Sequence, residues 1–243
     1  MKQKIILSAK IVLVVLMVLI AIMGTYMSSY NSAEDEAAEA LKSTETVTVE
    51  KISGIKYAFV PKGEIKAGLI FYPGAKVEWT AYAPVMQEMA NKGILCVLCH
   101  MPGNIAFFNT NAANGIQKKY SSVKDWYIGG HSLGGVVAAN YVSKHLDEYK
   151  GIIFFASYTT KDLSNSNLKC LSILGDKDTV LDMDSYNKNK SNMPANTIEY
   201  TIKGGCHSYF GVYCPQDGDG VPEIERDEQI KIIAEQTSNF IYE

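Results

Sequence analysis

The stretch WYIGGHSLGG, residues 126–135, contains the pattern Gly-x-Ser-x-Gly with Ser132 at its centre. The apolar residues 126–128 are typical of a buried strand, and the small residues of 134–146 are typical of a helix. A serine hydroxyl reacts well only where it stands clear of the backbone, and a tight strand-to-helix turn holds it there. Such a turn crowds its neighbours, which explains the glycines on either side. The pattern predicts that Ser132 is a nucleophile.

A nucleophilic serine needs a general base, and only two histidines, His145 and His207, follow Ser132 in the chain. His145 lies in the helix predicted after the serine, where we expect solvent around it. His207 follows two glycines at the end of the last predicted strand, 197–202. A glycine turn at that position can bring an imidazole over the serine, so His207 is predicted to be the base.

The base in turn needs a carboxylate that orients it, and two candidates follow the predicted strand 168–174. These are Asp176 and Asp178, in the sequence Gly-Asp-Lys-Asp. Asp178 is favoured because it lies further beyond the strand end, where the loop must reach toward His207. Asp176 could instead cap the turn. Alternation along the chain cannot separate the two, and both stay open.

The negative charge that develops on a substrate carbonyl needs two backbone N–H donors. One is expected from Leu133, directly after the nucleophile, and the other from the loop after the third strand, residues 73–76. Pro73 has no N–H group, which leaves Gly74 or Ala75 as the second donor. Of these two residues, Ala75 is favoured.

Strand and helix patterns alternate along most of the chain, which predicts an α/β fold. We expect a doubly wound, mostly parallel sheet of eight strands with helices on both faces, formed by residues 47–243. The first two strands have no helix between them and are expected to pair antiparallel at one edge. The predicted strands are 47–49, 55–60, 67–72, 94–99, 126–128, 152–156, 168–174 and 197–202, and the main helices are 82–92, 134–146 and 227–242.

Four strings of residues together resemble the α/β-hydrolase superfamily. They are FYPGAKVE at 71–78, GGHSLGG at 129–135, GDKD at 175–178 and GGCHSYFG at 204–211. The chain is similar to a small bacterial branch related in outline to dienelactone-hydrolase-like enzymes, over roughly residues 49–242. The resemblance implies the fold, the Ser132, His207 and Asp178 triad, and hydrolysis of an ester-like bond. Dienelactone hydrolases use a cysteine nucleophile where this chain has Ser132, so their substrate does not transfer.

The predicted site is open, because only residues 157–167 separate the sixth and seventh strands and leave no room for a cap domain. We expect a carboxylic ester or thioester substrate and an acyl-enzyme intermediate. Aromatic side chains near the site suit acyl or aryl groups. The residues predicted to line the substrate site are Phe107, Phe108, Tyr209 and Phe210, with ordinary core packing as the alternative.

The N-terminal segment has the composition of a membrane anchor. Residues 5–23 are apolar apart from Ser8 and Lys10, lysines precede them, and an acidic stretch follows. Residues 1–27 are therefore predicted to form a single transmembrane helix and residues 28–46 a polar stalk, with the catalytic domain outside the cell. The alternative is a signal peptide whose cleavage releases a secreted enzyme.

The composition and charge of the chain limit the kinds of molecule or ion that it is expected to bind. The net charge of −3 argues against binding to nucleic acid. No cofactor or metal is expected, since the run Asp217-Gly218-Asp219-Gly220 lacks the remaining ligands of a calcium loop and is interpreted as a solvent loop. The five cysteines do not form a disulfide framework, although Cys206 and Cys214 could pair. Acyl transfer with the same triad and an inactive surface binding module stay open as alternative functions.

Overall fold

The computed structural model describes residues 2–53 and 55–243, without the side chains of residues 2–9, 26 and 27. The chain forms two units, residues 1–30 and 31–243. The first contains helix α1, Lys2–Ser28. The predicted anchor lies partly outside the described residues, since Met1 and the side chains of ten residues are not described. In the part of the chain that is described, we find no helix with the length and apolar character needed to cross a bilayer.

Eight strands of the second unit form one sheet, in the order β1-β2-β4-β3-β5-β6-β7-β8. β2 pairs antiparallel with both β1 and β4, and all other neighbours are parallel. The predicted mostly parallel sheet is confirmed. Its strands are β1 Val47–Ile52, β2 Lys56–Pro61, β3 Ala67–Tyr72, β4 Ile94–Cys99, β5 Trp126–His131, β6 Gly151–Phe155, β7 Lys169–Gly175 and β8 Thr197–Ile202.

Helices cover both faces of the sheet, as predicted. The side chains of α3 and α7 pack in the core of one face, and those of α4 and α5 pack in the core of the other. Within β3, Leu69 and Phe71 belong to the first core and Ile70 and Tyr72 to the second. The α-helices of this unit are α2 Asp35–Glu39, α3 Ala83–Asn91, α4 Ile116–Lys119, α5 Leu133–Val142, α6 Met183–Asn189 and α7 Arg226–Tyr242.

This arrangement explains why the central strands are continuous apolar runs and not alternating ones. Every residue of β3, β4 and β5 is buried, because each face of the sheet is covered. The carboxyl ends of the parallel strands all open onto one edge of the sheet. Ligands bind at that edge in open sheets of this kind, and every predicted catalytic residue follows the end of a strand there.

The stretch 28–46, predicted as a stalk, is packed against the body from residue 31 onward. Residues 31–243 form one compact unit. Ala37, in α2, is fully buried, and Ala40 is nearly so, and both belong to the core that α3 and α7 form. The stalk prediction is therefore corrected: the acidic composition suggested exposure, but the alanines of this stretch form an apolar face that the core covers.

Backbone hydrogen bonds and an ion pair hold the same stretch in place. The Asn31 N–H group donates to the Lys76 carbonyl at 2.7 Å, and the Glu34 N–H group donates to the Val212 carbonyl at 3.1 Å. The Glu34 carboxylate lies 2.7 Å from the Arg226 guanidinium. The hydrogen bond from Arg226 lowers the pKa of Glu34 below its usual value. The domain accordingly begins near residue 31 and not at residue 47.

A pair of substitutions tests this boundary. Ala37→Asp puts a charge without a partner into a buried site and should lower the free energy of unfolding by about 3 kcal/mol. Ala38→Asp is the matched control, because Ala38 is exposed on the same helix and should change stability by less than about 0.5 kcal/mol. Denaturant unfolding of both variants measures the difference. Equal stability of the two variants would contradict the packing of this stretch against the domain and would support the predicted stalk.

Candidate active site

Ser132 stands at the tight turn between β5 and α5, as the motif predicts. Its backbone has φ 49° and ψ −125°, a conformation that non-glycine residues adopt rarely. The turn runs against the end of β3, so closely that a Cβ atom on Gly134 would lie 2.2 Å from the Tyr72 carbonyl oxygen, and one on Gly130 2.5 Å from it. Only glycine fits at either position, which gives the two motif glycines a direct steric reason.

Hydrogen bonds hold both backbone polar groups of Ser132. Its N–H group donates to the Phe155 carbonyl at the end of β6, at 2.9 Å. The hydroxyl of Ser157, a buried side chain, donates to the Ser132 carbonyl at 2.6 Å. A strained backbone conformation costs about 1–3 kcal/mol and persists only where its surroundings fix it. These two hydrogen bonds hold the backbone of Ser132 in this conformation and so fix the position of its Cβ atom.

His207 and Asp178 form a buried pair. The distance between His207 Nδ1 and Asp178 Oδ2 is 2.7 Å, and the two side chains are only 1% and 3% exposed. The other carboxylate oxygen, Asp178 Oδ1, accepts hydrogen bonds from the N–H groups of Val180 and Leu181, at 2.9 Å each. Both oxygens of Asp178 are therefore fixed, and the imidazole of His207 is oriented through its Nδ1 atom.

Asp176, the alternative acid, has another partner. Its Oδ1 atom accepts a hydrogen bond from the Gly204 N–H group at 2.6 Å, in the turn that follows β8. This is the capping role that the sequence left open for it. The structure thus brings His207 together with Asp178 and not with Asp176. His145, the other histidine after Ser132, bonds to Glu148 at 2.8 Å near the end of α5.

His207 lies beside the turn that carries Ser132. Its ring centroid is 4.4 Å from that of His131, the residue before the serine. Within the described residues, the Ser132 hydroxyl makes no hydrogen bond to the imidazole of His207. Phe210 is fully buried, and its ring stacks on that of His131 with a distance of 5.3 Å between the ring centroids. The prediction that Phe210 lines the substrate is therefore wrong, since its ring supports His131 from within the core.

A buried tyrosine links His131 to the predicted oxyanion loop. The Tyr82 hydroxyl lies 2.8 Å from His131 Nδ1 and accepts a hydrogen bond from the Gly74 N–H group at 3.1 Å. Burial raises the pKa of Tyr82, so the hydroxyl keeps its proton and can donate a hydrogen bond to His131 Nδ1. Burial, together with the nearby His207, lowers the pKa of His131 well below its usual value. His131 is therefore neutral at physiological pH.

The same contact decides between the two predicted loop donors. Because Tyr82 takes the N–H group of Gly74, that group cannot serve a substrate oxygen, and the alternative of Gly74 as donor is corrected. The N–H groups of Ala75 and Leu133 make no hydrogen bond to any described residue. Ala75 was the favoured donor in the sequence, and it stays the prediction for this loop.

The predicted substrate-lining residues other than Phe210 lie at the surface. Phe107 and Phe108 are 55% and 52% exposed, on the short turn Ala106–Asn109. Asn104, two residues before this turn, accepts a hydrogen bond from the Lys76 N–H group at 2.8 Å, which joins the chain at this point to the predicted oxyanion loop. The half-buried ring of Tyr209 instead has the guanidinium of Arg226 5.9 Å from its centre.

Two polar side chains that the sequence analysis did not assign to the site hold the loop of His207. Gln229 of α7, fully buried, accepts a hydrogen bond from the Cys206 N–H group at 3.0 Å and donates to the Cys206 carbonyl at 2.9 Å. Asp219, interpreted as part of a solvent loop, accepts from the N–H groups of His207 and Ser208. The helical spacing of Gln229 with the buried Ile233, four residues on, indicates that Gln229 is buried but does not identify its partner. Cys206 and Cys214 are both free thiols.

Comparison with known proteins adds independent evidence. The family model described as "Alpha/beta hydrolase family" matches residues 68–231, more than half of the chain. No curated protein matches the sequence. Solved structures with a similar fold share little sequence, and they establish the fold alone.

Three such structures illustrate the likeness. A predicted CIB-like hydrolase from Thermoplasma acidophilum is 16% identical with a TM-score of 0.57, covering 79% of this chain and 98% of its own. Est1E from Butyrivibrio proteoclasticus is 14% identical with a TM-score of 0.59, covering 82% of this chain and all (100%) of its own. Carboxyl esterase 2 from Tuber melanosporum is 11% identical with a TM-score of 0.58, covering 82% and 89%. With the family model matching through β3 to α7, this protein belongs to the alpha/beta hydrolase family and is a hydrolase.

Proposed function

We propose that this hydrolase cleaves a carboxylic ester or thioester through Ser132, His207 and Asp178, with an acyl-enzyme intermediate. The observation that carries the proposal is the buried pair of His207 and Asp178, 2.7 Å apart, beside the glycine-bounded turn of Ser132. A histidine whose Nδ1 atom is fixed by a carboxylate presents its Nε2 atom as a base. One of the structural neighbours is named a carboxyl esterase, which is consistent with this chemistry.

In the first half of the reaction, the Ser132 Oγ atom attacks the carbonyl carbon of the substrate. His207 Nε2 takes the hydroxyl proton as the Oγ–C bond forms, and Asp178 stabilises the imidazolium that results. The tetrahedral intermediate then collapses, the bond to the leaving alcohol or thiol breaks, and His207 returns the proton to that leaving group. The serine is left as an ester of the acyl group.

In the second half, water takes the place of the leaving group. His207 removes a proton from the water as its oxygen attacks the acyl carbon, and the same proton goes to Ser132 Oγ when the Oγ–C bond breaks. A carboxylic acid leaves and the free enzyme is restored. No bond other than these needs to change, so the cycle requires no cofactor.

The oxyanion of both tetrahedral intermediates is proposed to bind the N–H groups of Leu133 and Ala75. Neither group is committed to another described residue, whereas the N–H group of Gly74 is held by Tyr82. Leu133 is the first residue of α5, so the positive end of the helix dipole also points toward the developing charge. Removing one donor of this kind costs about 10²–10³ in kcat in related sites.

The substrate site is proposed to be open, with Phe107 and Phe108 along one side. Both rings are exposed on a segment that hydrogen bonds to the oxyanion loop, which supports a role in contacting an acyl or aryl group. The connection between β6 and β7, residues 156–168, is too short to form a cap domain over the site. An uncovered site of this kind suits short or planar ester substrates.

We further propose that the N-terminal segment holds the enzyme at the outer face of a membrane. The support is the apolar run of residues 5–23 with lysines before it and acids after it. The large apolar side chains described for α1, such as Leu16 and Leu19, are all at least half exposed within their unit.

Replacing the nucleophile tests the reaction. Ser132→Ala should abolish labelling by a fluorophosphonate probe and hydrolysis of p-nitrophenyl esters, because no hydroxyl remains for attack, while the melting temperature stays near that of the wild type. Ser143→Ala is the control, since Ser143 caps the far end of the same helix and should label fully. Full labelling of the Ser132→Ala variant would remove the serine from its proposed role.

The two aspartates make a second test. Asp178→Asn should lower kcat about 10⁴-fold, because the imidazole loses its orienting carboxylate. Asp176→Asn should leave kcat within a few fold and lower the free energy of unfolding by about 1 kcal/mol, the value of one turn hydrogen bond. Steady-state kinetics on one activated ester, with unfolding of both variants, measures the ranking. A reversed ranking would move the acid to Asp176.

The location is tested on the native protein. The membrane fraction should retain the enzyme after a carbonate wash, and intact-mass measurement should find residues 1–27 still attached. Protease added to intact cells should degrade the catalytic domain, since it lies outside. A mature protein found in the medium and lacking those residues would establish cleavage and secretion instead.

A further inference from the structure

Asp219 makes four hydrogen bonds around the base. Its Oδ1 atom accepts from the His207 N–H group at 3.2 Å and from the Gly220 N–H group at 2.9 Å. Its Oδ2 atom accepts from the N–H group and the hydroxyl of Ser208, at 2.7 Å each. The carboxylate therefore accepts hydrogen bonds from the backbone N–H groups of both His207 and Ser208, which lie on either side of the His207 Cα atom. It is the only carboxylate among the described residues that bonds to the His207 backbone.

The charge of Asp219 fits this position. Burial alone would raise its pKa, but the hydrogen bonds from Ser208, His207 and Gly220 outweigh it and lower the pKa below the usual value. The group is ionised at neutral pH, and charge-assisted hydrogen bonds of this kind are stronger than neutral ones. The loop is closed further by Ser208, whose hydroxyl accepts a hydrogen bond from the Gln216 N–H group at 2.8 Å.

We propose that Asp219 is a positioning residue for the base: it fixes the backbone of His207 so that the imidazole, held at Nδ1 by Asp178, directs Nε2 toward Ser132. The proposal rests on the function proposed above. A histidine ring has two side-chain torsions, so fixing its Cα end and its Nδ1 atom leaves one direction for Nε2. Asp219 fixes the Cα end of the side chain, and Asp178 fixes the Nδ1 atom.

Asparagine at this position is an informative replacement. An amide has one acceptor oxygen where the carboxylate has two. In either orientation its NH₂ group faces two hydrogen-bond donors, either those of Ser208 or those of His207 and Gly220. Asp217→Asn is the matched control, because Asp217 is exposed in the same loop and makes no hydrogen bond to a described residue through its side chain.

The experiment has a kinetic part and a spectroscopic part. With Asp219→Asn, kcat for a p-nitrophenyl ester should fall about 10- to 100-fold, the effect of displacing a reacting group by up to about 1 Å, with KM within about twofold. In ¹⁵N-histidine-labelled protein, the far-downfield proton of the His207 Nδ1–H···Asp178 hydrogen bond should broaden or shift. That proton is assigned by its loss in Asp178→Asn. Asp217→Asn should match the wild type in both measurements.

The two readouts separate this proposal from the proposed function, because the proton signal needs no substrate. An unchanged signal in Asp219→Asn overturns the positioning role, whatever the activity. A changed signal in a protein that hydrolyses no ester supports the positioning of His207 and rejects the ester hydrolase.

A second variant keeps the test decisive if Asp219→Asn does not fold. Ser208→Ala removes one donor to Asp219 and the acceptor of the Gln216 N–H group, but it leaves the three backbone donors to Asp219. It should therefore shift the same proton signal by less and lower kcat by less than about tenfold. A Ser208→Ala protein with the wild-type signal and wild-type kcat would count against the proposal. Thermal unfolding of each variant separates a local shift of His207 from a general loss of structure.

Discussion

The closeness of the Ser132 turn to the end of β3 is the constraint on which the site depends. The Tyr72 carbonyl oxygen would lie only 2.2 Å from a Cβ atom at Gly134, so the backbones of the two segments are in contact without any side chain between them. Tyr72 is followed directly by the loop of Gly74 and Ala75. Ser132, the proposed nucleophile, and the proposed oxyanion donors are therefore fixed relative to each other by main-chain packing, which no side-chain rotation can loosen.

His207, the proposed base, is held in a different way, by side chains that hydrogen bond to the backbone of its loop. Four of the five backbone N–H groups from Gly204 to Ser208 donate to polar side chains, while the N–H group of Gly205 donates to the Ile202 carbonyl. Those acceptors are Asp176 for Gly204, Gln229 for Cys206, and Asp219 for His207 and Ser208. A loop that follows an outer strand has little neighbouring backbone to pack against, so buried carboxylates and an amide satisfy its N–H groups instead.

The sequence predicts the parts of this structure that depend on local patterns. β3, β4 and β8 have the predicted bounds, because apolar runs ended by turn residues are local signals. β5 continues three residues beyond the predicted 126–128, since its two glycines pair with β6 in spite of their low strand propensity. Helix α6, Met183–Asn189, was not predicted as an element, although Asp182 caps its first turn by accepting a hydrogen bond from the Ser185 N–H group.

The residues of the site also fall into those that local sequence patterns predict and those whose partners lie elsewhere in the chain. Ser132 stands in the predicted strand-to-helix turn, and His207 is paired with the favoured acid. The roles of Asp219, Gln229 and Tyr82 could not be predicted, because each depends on a partner brought close only by the fold. The sequence also could not predict the orientation of Phe210, since an aromatic residue near His207, the proposed base, can face either the substrate or the core.

The packing of residues 31–34 gives the acidic stretch after α1 a structural role. This short segment hydrogen bonds to the proposed oxyanion loop through Asn31 and Lys76, and to the segment after His207 through Glu34 and Val212. One continuous piece of chain therefore ties together two loops that approach the site from β3 and β8, strands that are not neighbours in the sheet. Two such loops, each fixed to its own strand, could otherwise shift independently. Because the chain from Asn31 to Glu34 is only four residues long, it limits how far the proposed oxyanion donors and the proposed base can move apart.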